Sequence, residues 1–190
     1  MKKPVAPAAT ARPHALSQHG ETRIDPWYWL RDDERESPQV LAHLAAENQH
    51  AEAFLAPAAM LRSGLRAELE ARINPDESSV PVQDGSWIYR VSYRAGDDYP
   101  RHERQPASGG DWQLLVDENC EAEGSEHYDL GLLAVSPDGQ RMVLAEDRVG
   151  RWLYELRVQN LANGQWWPEL IANTSGEVAW SAAGDYLFYL

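Results

Sequence analysis

The spacing of apolar residues changes character twice along this chain. Up to residue 23 there is no period: Pro4, Pro7 and Pro13 interrupt a polar, Ala-containing stretch, which predicts an extended arm that packs only where something receives it. Residues 24–30, Ile-Asp-Pro-Trp-Tyr-Trp-Leu, then gather large apolar side chains beside a proline and run into the charged segment Arg31–Glu36. Three close aromatics call for a surface to dock on. From Ser37 a helical period takes over. Ser37 stands where an N-cap belongs, and Pro38 stands at the first helical position, where its missing N–H costs nothing. Leu41, Leu44, Ala45, Phe54 and Leu55 trace an apolar stripe. Pro57 interrupts it, and Leu61, Leu65, Leu69 and Ile73 recur every fourth residue before Asn74-Pro75 ends the pattern. Residues 38–73 are expected to form a helical hairpin with one apolar side.

From Asp76 the period becomes strand-like. Short β-branched and aromatic runs alternate with Asp-Gly, Gly-Asp, Gly-Gly, Pro-Asp-Gly and Asn-Gly turns. A repeat lies inside this region: Ala134-Val135-Ser136-Pro137-Asp138-Gly139, followed by Met142-Val143-Leu144, matches Ala179-Trp180-Ser181-Ala182-Ala183-Gly184, followed by Leu187-Phe188-Tyr189, about 45 residues later. A weaker copy, Val82–Gly85 with Trp87-Ile88-Tyr89, precedes them, and further strands are expected at 99–104, 112–116, 152–158 and 165–168. Four short strands at this period form the blade of a β-propeller. Residues 80–190 hold about 2.5 such blades, fewer than the four or so that close a ring. Tyr186–Leu190 is an apolar strand without partners after it, so the chain is expected to be an incomplete propeller. The expected organisation is an extended arm at 1–23, a helical extension at 24–75 and the first blades of a propeller at 76–190.

Charge and cysteine content narrow the function. Thirty acidic residues against 17 Lys and Arg give a net charge of −13, which excludes nucleic acid as a partner and favours encounter with cationic peptides. Cys120 is the only cysteine, which fits a reducing compartment. Residues 1–20 lack the apolar run of a signal peptide, and no segment approaches a membrane span. A cytoplasmic location is expected.

Candidate chemistry is sparse. His43, Glu47 and His50 share one helical face at i, i+4 and i+7, but no fourth ligand accompanies them, so no metal site is expected. Asp97, Asp98, Asp117, Glu118, Glu121, Glu123 and Glu126 lack the glycine-centred spacing of a calcium loop and are expected to be solvated turn residues. Some of them, Glu121 and Glu123 above all, would attract basic peptides if they lined a channel. Trp87, Trp112, Trp152 and Trp180 are expected in strands as blade packing, and Trp166-Trp167 beside a neighbouring domain. No glycine has Ser at +2 and Gly at +4, so the strained turn that presents a hydrolase serine is missing. No catalytic, cofactor-binding or metal residue is expected in this chain.

Several segments resemble a known family in wording as well as in pattern. They are Arg23–Asp33, Glu47-Asn48, Leu132–Asp138, Ala145-Glu146-Asp147, Asn160–Gly164 and Trp167–Leu170, and they are similar to the N-terminal part of oligopeptidase B, a branch of the prolyl oligopeptidase family of serine peptidases. The resemblance runs from about Pro13 to Leu190. It implies a seven-bladed propeller that gates access to a C-terminal α/β-hydrolase domain with a Ser-Asp-His triad, on which residues 24–75 pack. It further implies cleavage of short peptides after Arg or Lys. This chain alone would be inactive, and no cofactor is implied. The alternative reading is a short, non-enzymatic binding module made of partial blades.

Overall fold

The computed structural model describes residues 4–190, so the first three residues of the expected arm lie outside it. The polypeptide divides into two units that part between Ile73 and Asn74.

In the first unit the expected arm is not simply extended. His14–Gln18 (β1) and Glu21–Asp25 (β2) pair as an antiparallel hairpin, in register from His14 opposite Asp25 to Gln18 opposite Glu21. The His19-Gly20 turn has positive φ at both residues, the geometry that matches strand twist in a two-residue loop. The arm is received within its own unit. The His14 ring stacks on Tyr28 at 4.2 Å, Trp29 donates its indole N–H to the Thr10 carbonyl, and the Arg12 guanidinium lies 4.6 Å from the Trp29 ring and bonds Gln39.

Pro38–Leu55 (α1) and Ala59–Glu70 (α2) are the two expected helices, but they are joined by a 3₁₀ turn over Ala56–Ala58 and do not fold back side by side as a hairpin. Leu55, Ala56 and Ala59 all keep right-handed helical dihedrals. Pro57 removes one N–H without supplying the left-handed residue that a reversal needs. Ser37 occupies the N-cap, but its hydroxyl makes no capping bond, and its own N–H goes to Asp32. The apolar stripe, including Leu44, Leu61, Leu65, Leu69 and Ile73, faces solvent.

The second unit is built from three sheets. Val82–Asp84 (β3), Trp87–Ser92 (β4), Arg101–Pro106 (β5) and Gln113–Asp117 (β6) form a four-stranded antiparallel meander. A short helix, Glu118–Glu121 (α3), leads to the second meander: Asp129–Val135 (β7), Arg141–Asp147 (β8), Tyr154–Asn160 (β9) and Trp166–Thr174 (β10). Val178–Trp180 (β11) and Leu187–Tyr189 (β12) make a two-stranded third sheet. The sequence repeat is the link between the first and second strands of the last two sheets. In each, a serine closes the turn: the Ser136 N–H donates to the Arg141 carbonyl and the Ser181 N–H to the Tyr186 carbonyl, while both hydroxyls accept a backbone N–H and donate to an aspartate. Gly139 and Gly184 occupy the matching positive-φ positions. At Gly139 a Cβ would also stand 2.7 Å from the Trp87 indole nitrogen.

The core sits on both faces of β8. Val143 and Ala145 point to one side, where Tyr154, Leu156 and Val158 join Val178, Trp180 and Leu187 of the third sheet. Met142 and Leu144 point to the other, against Val116 of the first sheet. Most strands of an antiparallel sheet alternate between core and solvent; β8 is buried along nearly its whole length because it has a neighbouring sheet on each side. Trp152, expected in a strand, lies instead in the exposed loop after β8, because a buried carboxylate diverts the backbone there; Trp112 immediately precedes β6.

Leu144 is fully buried and Val82 is largely exposed on an edge strand. Leu144→Ala is expected to destabilise the second unit by about 2–5 kcal/mol, and Val82→Ala by no more than about 0.5 kcal/mol. Urea denaturation followed by tryptophan fluorescence checks both, and equal losses would contradict the placement of the core.

Candidate functional site

An open cleft of about 690 Å³ runs between the first and second sheets, walled by Val80, Val82, Leu132 and Ala134 and floored by Tyr89, Arg90 and Glu103. A second hollow of about 450 Å³ lies among the turns, from Asp84–Trp87 and Ser136–Gly139 to Val178–Trp180. Several charges in and beside these hollows are compensated within the fold. Arg90 pairs with Glu103 at 2.8 Å and lies 4.0 Å from the Trp112 ring. Arg104, almost wholly buried, lies 3.8 Å from the Trp87 ring and donates to the Gly139 carbonyl of the next sheet. The second and third sheets are joined in the same manner, with Arg141 over Trp180 and the Trp180 indole N–H on the Ala134 carbonyl. Tryptophan and arginine here tie sheet to sheet, as cation–π pairs that also satisfy backbone acceptors. Asp138, at the rim, is held down to about 2 by the Ser136 hydroxyl first, and then by the Gln140 N–H and Arg141.

Most of the acids expected in solvated turns are instead paired. Asp97 and Asp117 both bind Arg101, and Glu118, itself buried, meets His102 at 2.6 Å. Glu121 accepts from Arg157 at 2.8 Å and from Arg148 at 3.5 Å. The same two arginines engage Glu146, which is buried on β8 and also receives the Tyr128 hydroxyl. This ladder fastens α3 to the second sheet, and a carboxylate shared by two guanidinium groups has little charge left to offer a passing peptide. Glu123 remains exposed. Trp166 packs beneath Arg157 and the core, while Trp167 stays partly exposed.

Of the helical triplet, His43 lies 3.6 Å from Glu47, whereas His50 turns toward Phe54 and its buried Nδ1 has no partner. The three do not converge, and among the described residues no group of His, Cys, Asp and Glu is arranged to hold a metal. The His102–Glu118 pair has the form of an oriented general base, but no hydroxyl or thiol bonds His102. Ser79 is taken up by the Val91 N–H, and Ser136 and Ser181 by their turns. Among the described residues no helix is long and apolar enough to cross a membrane.

These meanders, linked at about 45 residues and stacked face to face, have the geometry of propeller blades. The family model for the prolyl oligopeptidase N-terminal β-propeller domain matches residues 7–190. The chain belongs to the prolyl oligopeptidase family. Among prolyl oligopeptidase relatives, the dipeptidyl aminopeptidase BI of Pseudoxanthomonas mexicana is 35% identical over 201 residues, which cover 97% of this chain and 28% of that protein. Protease 2 of Moraxella lacunata is 26% identical over 191 residues, 96% of this chain and 27% of that one. Among solved structures, oligopeptidase B of Leishmania major superposes with a TM-score of 0.85 at 26% identity, covering 97% of this chain and 29% of its own. Oligopeptidase B of Trypanosoma brucei gives 0.82 at 27% identity, over 97% of this chain and 28% of its own. The chain thus spans under a third of the length of these prolyl oligopeptidase relatives.

One carboxylate gives the propeller unit a pH signature. Asp147 is 2% exposed, and it accepts the backbone N–H groups of Val149, Gly150, Arg151 and Trp152 at 2.7–2.8 Å. Burial alone raises its pKa, but the four donors outweigh burial and hold it below the ordinary value. An unfolded aspartate titrates near about 4. The stability Asp147 contributes is therefore complete above that value and is lost as pH falls through the lower folded value. Asp147→Asn should lose less stability than wild type between about pH 5 and pH 2. Urea midpoints across that range measure it, and parallel profiles would count against the assignment.

Proposed function

We propose that this chain is the N-terminal and propeller part of a serine-type oligopeptidase that cleaves short peptides after Arg or Lys in the cytoplasm. In that reading the propeller has seven blades and restricts entry, and a C-terminal α/β-hydrolase domain carries the Ser-Asp-His triad. The observation that carries the reading is the likeness to oligopeptidase B over 97% of the chain at a TM-score of 0.85. Three physical features support it. The net charge of −13 favours cationic substrates at low ionic strength. The side chains beside the clefts that could do chemistry, Ser79, Ser136 and His102, are engaged in the unit's own hydrogen bonds, which suits a part that frames access to a site. The exposed apolar stripe of α1 and α2 needs cover, which the hydrolase domain supplies.

A second reading, removal of dipeptides from a free N-terminus, is favoured by the 35% identity to the Pseudoxanthomonas dipeptidyl aminopeptidase. Kinetics on the full-length polypeptide separate the two. Turnover of an N-blocked arginyl or lysyl substrate supports the first. Turnover confined to substrates with a free N-terminus supports the second and sinks the first. The 190-residue chain by itself is expected to turn over neither; hydrolysis by that chain would overturn both.

A further inference from the structure

The loop between β8 and β9 is held in a conformation that its sequence does not favour. Trp152 has a φ of +59°, which for a bulky aromatic is a genuine outlier, and it is 81% exposed. The conformation is imposed by Asp147, whose buried carboxylate gathers the four loop N–H groups. Gly150 is packed close to the His127 ring, which braces the loop from below. The visible product of this strain is an indole held out in water, flanked by exposed Val149 and Leu153. An apolar cluster on a rigid support is the form of a docking anchor.

The topology says which end of the unit it occupies. The first and second sheets stack with their corresponding ends together: Arg104 reaches the Gly139 turn at one end, and Tyr99 packs edge-on against Tyr128 at the other. The loop after β8 lies at the Tyr128 end, as does the N-terminus of β3, where Ser78 bridges Ser92 and the chain enters the unit. The segment 74–80, which joins residues 24–73 to this unit, enters at this end, so a domain that took up residues 24–73 would be tethered here.

We propose that Val149–Leu153 is a docking loop for the catalytic domain of the same polypeptide, with the Trp152 indole seated in an apolar recess of that domain. This rests on the peptidase reading above. The test compares the full-length wild type with Trp152→Gly, which suits the positive φ and keeps the turn while deleting the indole, and with Trp152→Phe, which keeps an aromatic. Trp152→Gly should be cut by an added protease within residues 74–80 roughly tenfold faster than wild type, with unchanged circular dichroism, and Trp152→Phe should stay within about threefold. Equal cutting of wild type and Trp152→Gly overturns the proposal. So does a wild-type dimer that Trp152→Gly dissociates, since that would give the loop to a second copy of the chain. Peptidase activity is scored separately: an inactive wild type in which Trp152→Gly still speeds cutting would sink the peptidase reading while supporting the docking.

Discussion

Burial of both faces of β8 is the constraint on which the second unit depends. A single antiparallel meander can cover one face with its own residues only by curling, and four strands are too few to do so. Met142 and Leu144 are dry because the first sheet supplies Val116, and Val143 and Ala145 are dry because the third supplies Val178 and Leu187. Each sheet is therefore stable to the extent that its neighbours are present. Polar side chains at the joints follow the same logic. Arg104 on the Gly139 carbonyl and Trp180 on the Ala134 carbonyl satisfy backbone acceptors that stacking removes from water.

This economy shapes what the surface can do. Charged groups that a sequence reading would offer to a ligand are used to hold the fold: Glu121 and Glu146 between two arginines, Asp117 on Arg101, Glu118 on His102. The acidic balance of the chain acts as a diffuse field rather than through a built carboxylate site. Membership of the prolyl oligopeptidase family then gives the unit its setting, as the N-terminal β-propeller part of that family.

Much of the fold was legible in the sequence, because turn chemistry is local. The Ser136–Gly139 and Ser181–Gly184 repeats mark real turns, since a serine that closes the turn and a glycine with positive φ are required at those positions whatever surrounds them. Both helices were legible, the first from its Ser37-Pro38 start and apolar stripe and the second from the four-residue spacing of Leu61, Leu65 and Leu69. What escaped depends on partners far along the chain. The ion pairs of Glu121 with Arg148 and Arg157 span 27 and 36 residues, so no local pattern announces them. The hairpin at 14–25 was hidden by polar strands whose one local signal, His19-Gly20, is weak beside the usual Asn-Gly. Trp152 reads as a strand residue until Asp147 is seen to collect the N–H groups that a strand would use.

Amide hydrogen exchange on the 190-residue chain, resolved to short peptides by mass spectrometry, tests the central claim most directly. If β8 is sealed by a sheet on each side, the amides of Met142–Asp147 exchange last in the second unit, well after those of β3 and β12. Exchange of Met142–Asp147 at the pace of β3 would mean that the sheets do not stack in solution, and the propeller account would fail with them.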